Sequence, residues 1–266
     1  MSHIKRFFLC VFFVLSLIRL SAGDDFCGIS NFSFGNGEVI TFKVFYNVIG
    51  LYVDAGTASF TISNSKVNGR PAYHVVGLGN SNPSYDWIFR VRDRYETYID
   101  TATLKPMRFV RHVEEGGFRK DELVNFDHAN RKATSTKGTY VINECMQDVL
   151  SSIYYARNID FNKYKIGDKI NFSMFLDDEV HNIYIRYMGK ETIKTRYGKF
   201  RAIKFKPMLI KGTIFEGGEL MTVWVSDDGN HVPLRIESPI TVGSVKVDMM
   251  GYRNLRYSLR SMISFK

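Results

Sequence analysis

"EVITFKVFYNVIGLYVDAGTASFTIS", residues 38–63, decides the fold class. Successive side chains of a β-strand point to opposite faces. Read by twos, Ile40, Phe42, Val44, Tyr46 and Val48 share one side, while Val39 and Phe45 lie on the other. Gly50 stands near the middle, where the chain reverses. Two long alternating segments about one reversal predict an antiparallel hairpin. Apolar residues on both faces predict a strand covered on both sides, as where a curved sheet wraps a helix or a second sheet.

The same pattern continues outward. Asn68-Gly69 within "VNGRP" is a two-residue hairpin signal. "TATLKP" (101–106), "EEGG" (114–117), "DHANR" (127–131), "LDDE" (176–179) and "SDDGN" (226–230) are turn clusters between β-rich runs. Their close spacing favours a meander over βαβ units. Two places read as helix. "NPSYDWIF" (82–89) offers Asn82 as N-cap and Pro83 at the first helical position. "NECMQDVLSSIYYARN" (143–158) places Val149, Ile153 and Tyr154 at helical spacing, flanked by Leu150 and Tyr155, with Arg157 favourable at the C-terminal end. The expected fold is mainly β: a large antiparallel sheet curved into a half-barrel or a barrel/sandwich, with one or two short helices.

Residues 1–23 read as an export signal, and 24–266 as a single exported β-domain. Lys5 and Arg6 precede the apolar run "FFLCVFFVLSLI" (7–18), and "SAG" (21–23) supplies small residues for cleavage. No later stretch approaches the ~18 consecutive apolar residues of a membrane-spanning helix. The chain carries net charge +9, and loss of Lys5, Arg6 and Arg19 with the leader leaves +6. That excess suits contact with an anionic membrane surface. Export to the periplasm or beyond argues against nucleic acid as a partner. Cys27 and Cys145, the cysteines left after the leader, are a disulfide candidate in an oxidising compartment, with two unpaired buried thiols as the alternative.

"SYDWIFRVRDRYETYID" (84–100) carries the densest charge pattern. Phe89, Val91, Asp93, Tyr95, Thr97 and Ile99 alternate as a core stripe that Asp93 interrupts. A buried carboxylate needs hydrogen-bond donors or a counter-charge. The simplest reading ties Asp93 to backbone N–H groups of a neighbouring turn or to an arginine, because no second perturbed group is visible for catalysis. The opposite face, Arg90, Arg92 and Arg94, reads as solvated strand surface. Ligand-contact candidates are Asp93, Arg92, Trp87 and Trp224. Trp224 is by size a core anchor first and a stacking platform second.

Other constellations read more plainly. His74, His112, His128, His181 and His231 are scattered singly, and there is no G-x-S-x-G, so no catalytic residue is assigned. "DDEVH" (177–181) has metal-ligand residue types, but Asp-Asp between two β-rich runs is ordinary turn chemistry, and no metal or cofactor is expected. Glu114 and Glu115, adjacent on a strand, diverge and cannot flank one bond.

The order of "GEVITFKVFYNVIGLYVDAGTASFTI", "IFRVRDRYETYID", "YGKFRAIKFKPML" (197–209), "VWVSDDGNHVPLRIES" (223–238) and "ITVGSVKVDMMGY" (240–252) resembles a bacterial exported family, the domain of unknown function 3108. The resemblance covers nearly all of the chain beyond the leader. It implies an envelope β-domain similar to curved-sheet lipoprotein carriers, and no established reaction. Asp93, Trp224, Asp227, Asp228 and Pro233 match its signature positions. The function expected is non-enzymatic binding of a lipid-like or amphipathic molecule in a curved sheet, with an envelope protein as the other partner class. The alternatives are an envelope hydrolase acting on glycan or ester substrates, and an assembly scaffold.

Overall fold

The hairpin at 38–63 forms as the alternation predicts. Strands β1 (Val39–Val48) and β2 (Leu51–Val67) pair antiparallel from Val39 opposite Thr61 to Val48 opposite Leu51. The computed structural model describes residues 27–48, 51–211, 217–240 and 243–265, so the leader (1–23) and the reversal at 49–50 lie outside the described residues. The meander continues through β3 (Arg70–Ser81), β4 (Arg92–Asp100), β5 (Pro106–Glu115), β6 (Phe118–Asp127), β7 (Lys132–Ser135) and β8 (Thr139–Val141). After helix α1 (Val149–Ala156) come β9 (Lys169–Leu176), β10 (Glu179–Lys194), β11 (Gly198–Pro207), β12 (Thr222–Ser226), β13 (Pro233–Pro239), β14 (Ser244–Arg253) and β15 (Met262–Phe265). One sheet runs β8-β7-β6-β5-β4-β3-β2-β1-β14-β13-β12-β11-β10-β9, with β15 against β11.

Turn chemistry sets these reversals. Asn68 and Gly69 both have positive φ, 51° and 81°, as a tight hairpin between twisted strands requires. Asp177 and Asp178 do the same between β9 and β10, at 57° and 66°. The stripe of "DDEVH" is therefore broken by a turn, and His181 lies against the Leu176 carbonyl at 3.2 Å. Pro233 opens β13, where a missing N–H is tolerated.

The sheet is curved and open. No ladder joins its end strands β8 and β9 among the described residues. The seam is filled instead by residues 145–148 and by the β9–β10 turn. Gln147 N–H donates to Ser173 O at 2.9 Å, and its carbonyl accepts from Phe175 N at 2.8 Å. Asp177 reaches across to Arg111 of β5 and Lys120 of β6. The half-barrel form is thus the observed one.

Helix α1 lies in the concavity and buries Leu150, Tyr154 and Tyr155 against Ile62, Val75, Ile99 and Ile185. Its apolar face is the 150/154 row; Val149 and Ile153 are only partly buried. Gly77 of β3 leaves room under the helix: a Cβ there would meet Phe60 at 3.0 Å and Leu150 at 3.3 Å. The helix is shorter than 143–158. Residues 145–148 are spent on the seam, and Asp148 is the N-cap, accepting from Ser151 N at 2.8 Å and Thr97 Oγ1 at 2.6 Å. Burial nonetheless pushes the Asp148 carboxyl up to about 6, against those hydrogen bonds.

Arg157, read from the sequence as favourable at the helix C-terminal end, is 2 % exposed. It forms a bidentate pair with fully buried Glu38, at 2.5 and 2.9 Å, and its Nε donates to Asn230 O at 3.1 Å. Burial opposes the guanidinium's charge, and Glu38 outweighs it, so the Arg157 pKa is raised. Cys27 and Cys145 form a disulfide across 118 residues, with Cα atoms 5.4 Å apart.

Glu38→Gln, which leaves Arg157 buried without its counter-charge, is expected to cost about 3–5 kcal/mol in chemical denaturation. A loss below 1 kcal/mol would remove the pair from its central role. Reduction of the disulfide is expected to cost about 2–5 kcal/mol, given the length of the loop it closes.

Candidate functional site

An antiparallel meander puts every second connection at the same end of its sheet. The adjoining ends of β1 and β2, β3 and β4, β5 and β6, and β13 and β14 therefore share one rim; Asn47, near the tip of β1, pairs with Ser244 at the start of β14. This rim is unusually apolar for turn positions. Trp87 is 82 % exposed and Ile88 63 %, and Tyr85, Phe89, Leu51, Tyr52 and Phe118 are also exposed. Exposed large apolar groups gathered in one place mark contact surfaces, whereas scattered ones do not.

The β3–β4 connection that presents Trp87 is rigidly based. A single 3₁₀ turn, Pro83–Tyr85, is capped by Asn82, whose side chain accepts from Ser84 N at 3.1 Å. Asn82 N–H donates to Ala55 O of β2 at 2.7 Å. Arg92 grips Asp86 at 2.5 Å and Ser81 Oγ at 2.9 Å, closing the loop on itself. Hydrogen bonds from Ser81 and Arg92 hold the Asp86 carboxyl below its usual range. Phe89, expected in the core stripe, is exposed because β4 begins only at Arg92. Its ring lies on Gly116, where any Cβ would sit 2.2 Å from Phe89 Cε2.

Asp93 lies just inside this rim on the concave face. Its Oδ1 accepts from Glu114 N at 3.1 Å, a backbone donor of the β5–β6 shoulder. Its second neighbour is a carboxyl group and not an arginine: Glu115 hydrogen-bonds it and repels its charge. Burial first, then Glu115, pushes Asp93 up to about 7, against the Glu114 N–H. Gly79 of β3 leaves the space beside Asp93 free of a side chain. Deeper on the same face, Tyr95 stands opposite Arg111. The Arg111 Nε lies 2.6 Å from Glu122 Oε2, a charge contact whose N–H is not aligned as a hydrogen bond. Burial raises Tyr95 to about 12.

The arginines of the outer face are each neutralised. Arg90 meets Glu114 at 3.5 Å, Arg92 meets Asp86, and Arg94 meets Glu96 at 2.7 Å. Trp224 sits six strands along the sheet from β4. It is 8 % exposed, and its Nε1 donates to Glu191 at 2.6 Å. The structure thus gathers Asp93, Arg92 and Trp87 at one rim and leaves Trp224 apart. Sequence reasoning did not connect Glu115 to Asp93, since the ladder across β4–β5 supplies that contact. The signal for the rim was present: "LY" after Gly50 and "WIF" after Pro83 put large apolar residues where turns are usually polar.

Residues 41–250 match the family described as protein of unknown function (DUF3108). The chain belongs to this family. A solved structure of a β-barrel-like protein of the domain of unknown function DUF1849 from Brucella abortus has the same fold class, with a TM-score of 0.56 at 8 % identity. That match covers 85 % of this chain and 99 % of the other. Two more distant structures are a candidate lipoprotein from Parabacteroides distasonis (TM-score 0.38, 15 % identity) and a candidate exported protein with a YmcC-like fold from Bacteroides fragilis (0.36, 13 %). Each match spans 85 % of this chain, and 99 % and 100 % of the other chain respectively. No curated protein matches the chain. No helix among the described residues is long and apolar enough to cross a membrane.

The Asp93 shift fixes a sign. The folded state holds this proton more tightly than the unfolded chain, whose ordinary value is 3.8, so the associated stability is complete below that value. It is lost as pH rises through about 7. Asp93→Asn keeps an acceptor for Glu114 N–H and removes the charge. Relative to the wild type, it is expected to gain about 1–2 kcal/mol between pH 5 and 8.5, after allowance for solvent screening. Comparing the two urea-unfolding profiles subtracts the contribution of Asp148. Parallel profiles would show that Asp93 is not held protonated by its surroundings in the folded state.

Proposed function

We propose that this chain is an exported envelope protein that binds a lipid-like, amphipathic molecule at the apolar rim of its half-barrel without chemically converting it. The observation carrying this reading is the cluster of Trp87, Ile88 and Phe89 of the β3–β4 connection with Leu51, Tyr52 and Phe118 at neighbouring strand ends of one rim. Tryptophan and leucine-type side chains on a firm base are suited to the boundary between water and acyl chains. Export is supported by the leader-like residues 1–23 and by the Cys27–Cys145 disulfide. The rim supports this reading better than the concavity, which α1 and its neighbours fill, with Leu150, Tyr154 and Tyr155 each at most 3 % exposed.

A hydrolase reading draws on the meeting of Asp93 and Glu115. Their side chains are in hydrogen-bond contact. Glycoside hydrolysis needs its two carboxyl groups roughly 5 Å apart or more, so the pair is too close for that chemistry. Peripheral membrane contact through the same rim is the lipid reading in its simplest form.

Sedimentation with vesicles of phosphatidylethanolamine and phosphatidylglycerol tests the proposal. Binding is expected, with a blue shift of tryptophan emission that reports Trp87, because Trp224 is already buried. The double variant Trp87→Ser, Ile88→Ser is expected to weaken binding about tenfold or more without loss of stability, since both side chains are exposed. Absence of both binding and emission shift would overturn the reading.

A further inference from the structure

The other end of the sheet carries a different surface. The β12–β13 turn, the segment after α1 and the N-terminal segment enclose a cleft of about 410 Å³. That volume is in the range of small-ligand sites. Its apolar wall is Phe32, Phe161 and Ile203, of which Phe32 is 36 % exposed. Its polar lining includes Asp160, Asn162, Lys190, Asp227 and His231.

Two of these groups are held in defined states by their surroundings. His231 sits in the left-handed region, φ 43°, and its Nδ1 lies 2.7 Å from the Arg157 carbonyl. A carbonyl only accepts, so Nδ1 carries the proton, and in the neutral ring Nε2 is left as an acceptor. Burial, which lowers the imidazole's pKa despite that bond, favours the neutral ring. Lys190 Nζ is placed between Asp227 Oδ1 at 2.9 Å and Asn162 Oδ1 at 3.1 Å, leaving one of its three donors.

The charges in the cleft are already engaged. Asp228 is consumed by its own turn, accepting from Ser226 Oγ, Asn230 N and Ser261 N, each at 3.0 Å. Asp160 accepts from Asn162 N and Nδ2 at 3.2 and 3.1 Å. An anionic ligand would meet three carboxylates. A cation would have to compete with Lys190 for Asp227 and Asn162. A neutral ligand with many hydroxyls meets neither obstacle. Its hydroxyls can donate to His231 Nε2 and the Asp227 carboxylate, accept from the remaining Lys190 N–H, and set a C–H face against Phe32.

We infer that the cleft formed by Phe32, Lys190, Asp227 and His231 is a binding site for a neutral saccharide, separate from the apolar rim. The test is isothermal titration of the purified chain with chitotriose, cellotriose and maltotriose, alongside spermidine and inorganic phosphate. Saturable binding of at least one trisaccharide is expected, with neither charged probe binding. Phe32→Ala and Lys190→Met are each expected to weaken it about tenfold, the loss of one contact face or one bonded donor. The rim variant Trp87→Ser, Ile88→Ser is expected to retain saccharide binding in full, which separates this site from the lipid reading. Failure of all three sugars to bind would overturn the inference. So would binding that Phe32→Ala and Lys190→Met leave unchanged while unfolding midpoints match the wild type, or displacement of the sugar by spermidine or phosphate.

Discussion

A buried charge cannot be left alone, and in this protein the Arg157–Glu38 pair organises the molecule around that constraint. The guanidinium ties the end of α1 to the start of β1 through Glu38 and to the β12–β13 turn through the Asn230 carbonyl. The Arg157 carbonyl in turn receives His231. Rings of Phe34 and Tyr154 cover the guanidinium at 5.5 and 5.2 Å. Removing either charge would leave the other buried without its counter-charge, so three chain segments are bound to one arrangement.

The opposite end of the helix is fastened by a second buried carboxyl, Asp148, which caps α1 and accepts from Thr97 of β4. Held at both ends, an eight-residue helix can stay where its own propensity would not keep it. It then fills the concavity that the sheet's curvature creates. Neighbouring Asn158 extends the same logic: its amide donates to Tyr154 O at 2.9 Å and its carbonyl oxygen accepts from Phe32 N at 2.7 Å. The N-terminal segment is thereby laid along the helix end, where it contributes Phe32 to the cleft wall.

With the interior filled, surface chemistry is left to the two ends of the sheet, and these differ in kind. The meander sends alternate connections to opposite ends, so the apolar turns collect at one end, and the Asp-Asp-Gly-Asn-His turn lies at the other. Phe89 on Gly116 and Arg92 on Asp86 brace the β3–β4 connection that contributes Trp87 to the apolar rim. Asp93 and Glu115 lie just beneath it, sharing a space that Gly79 leaves open.

The strands, most of their turns and the existence of both helical segments were legible in the residues. Period-two alternation, Asn-Gly and Asp-Asp turns, and an Asn-Pro cap are local signals, set by steric and hydrogen-bonding preferences within a few residues. Membership of a β-rich family was legible for the same reason, in motifs that are mostly strands and their turns. The extent of α1, the burial of Arg157 and the contact of Asp93 with Glu115 were not. Each depends on which distant segment arrives: residues 145–148 serve the seam, Glu38 comes from far upstream, and Glu115 is set beside Asp93 by the β4–β5 ladder. By itself the sequence determined an antiparallel β-meander with one or two short helices, because alternation and turns are local physics. Only the tertiary structure decided where the charges are buried and which surfaces remain free, because burial and pairing belong to residues that chain closure brings together.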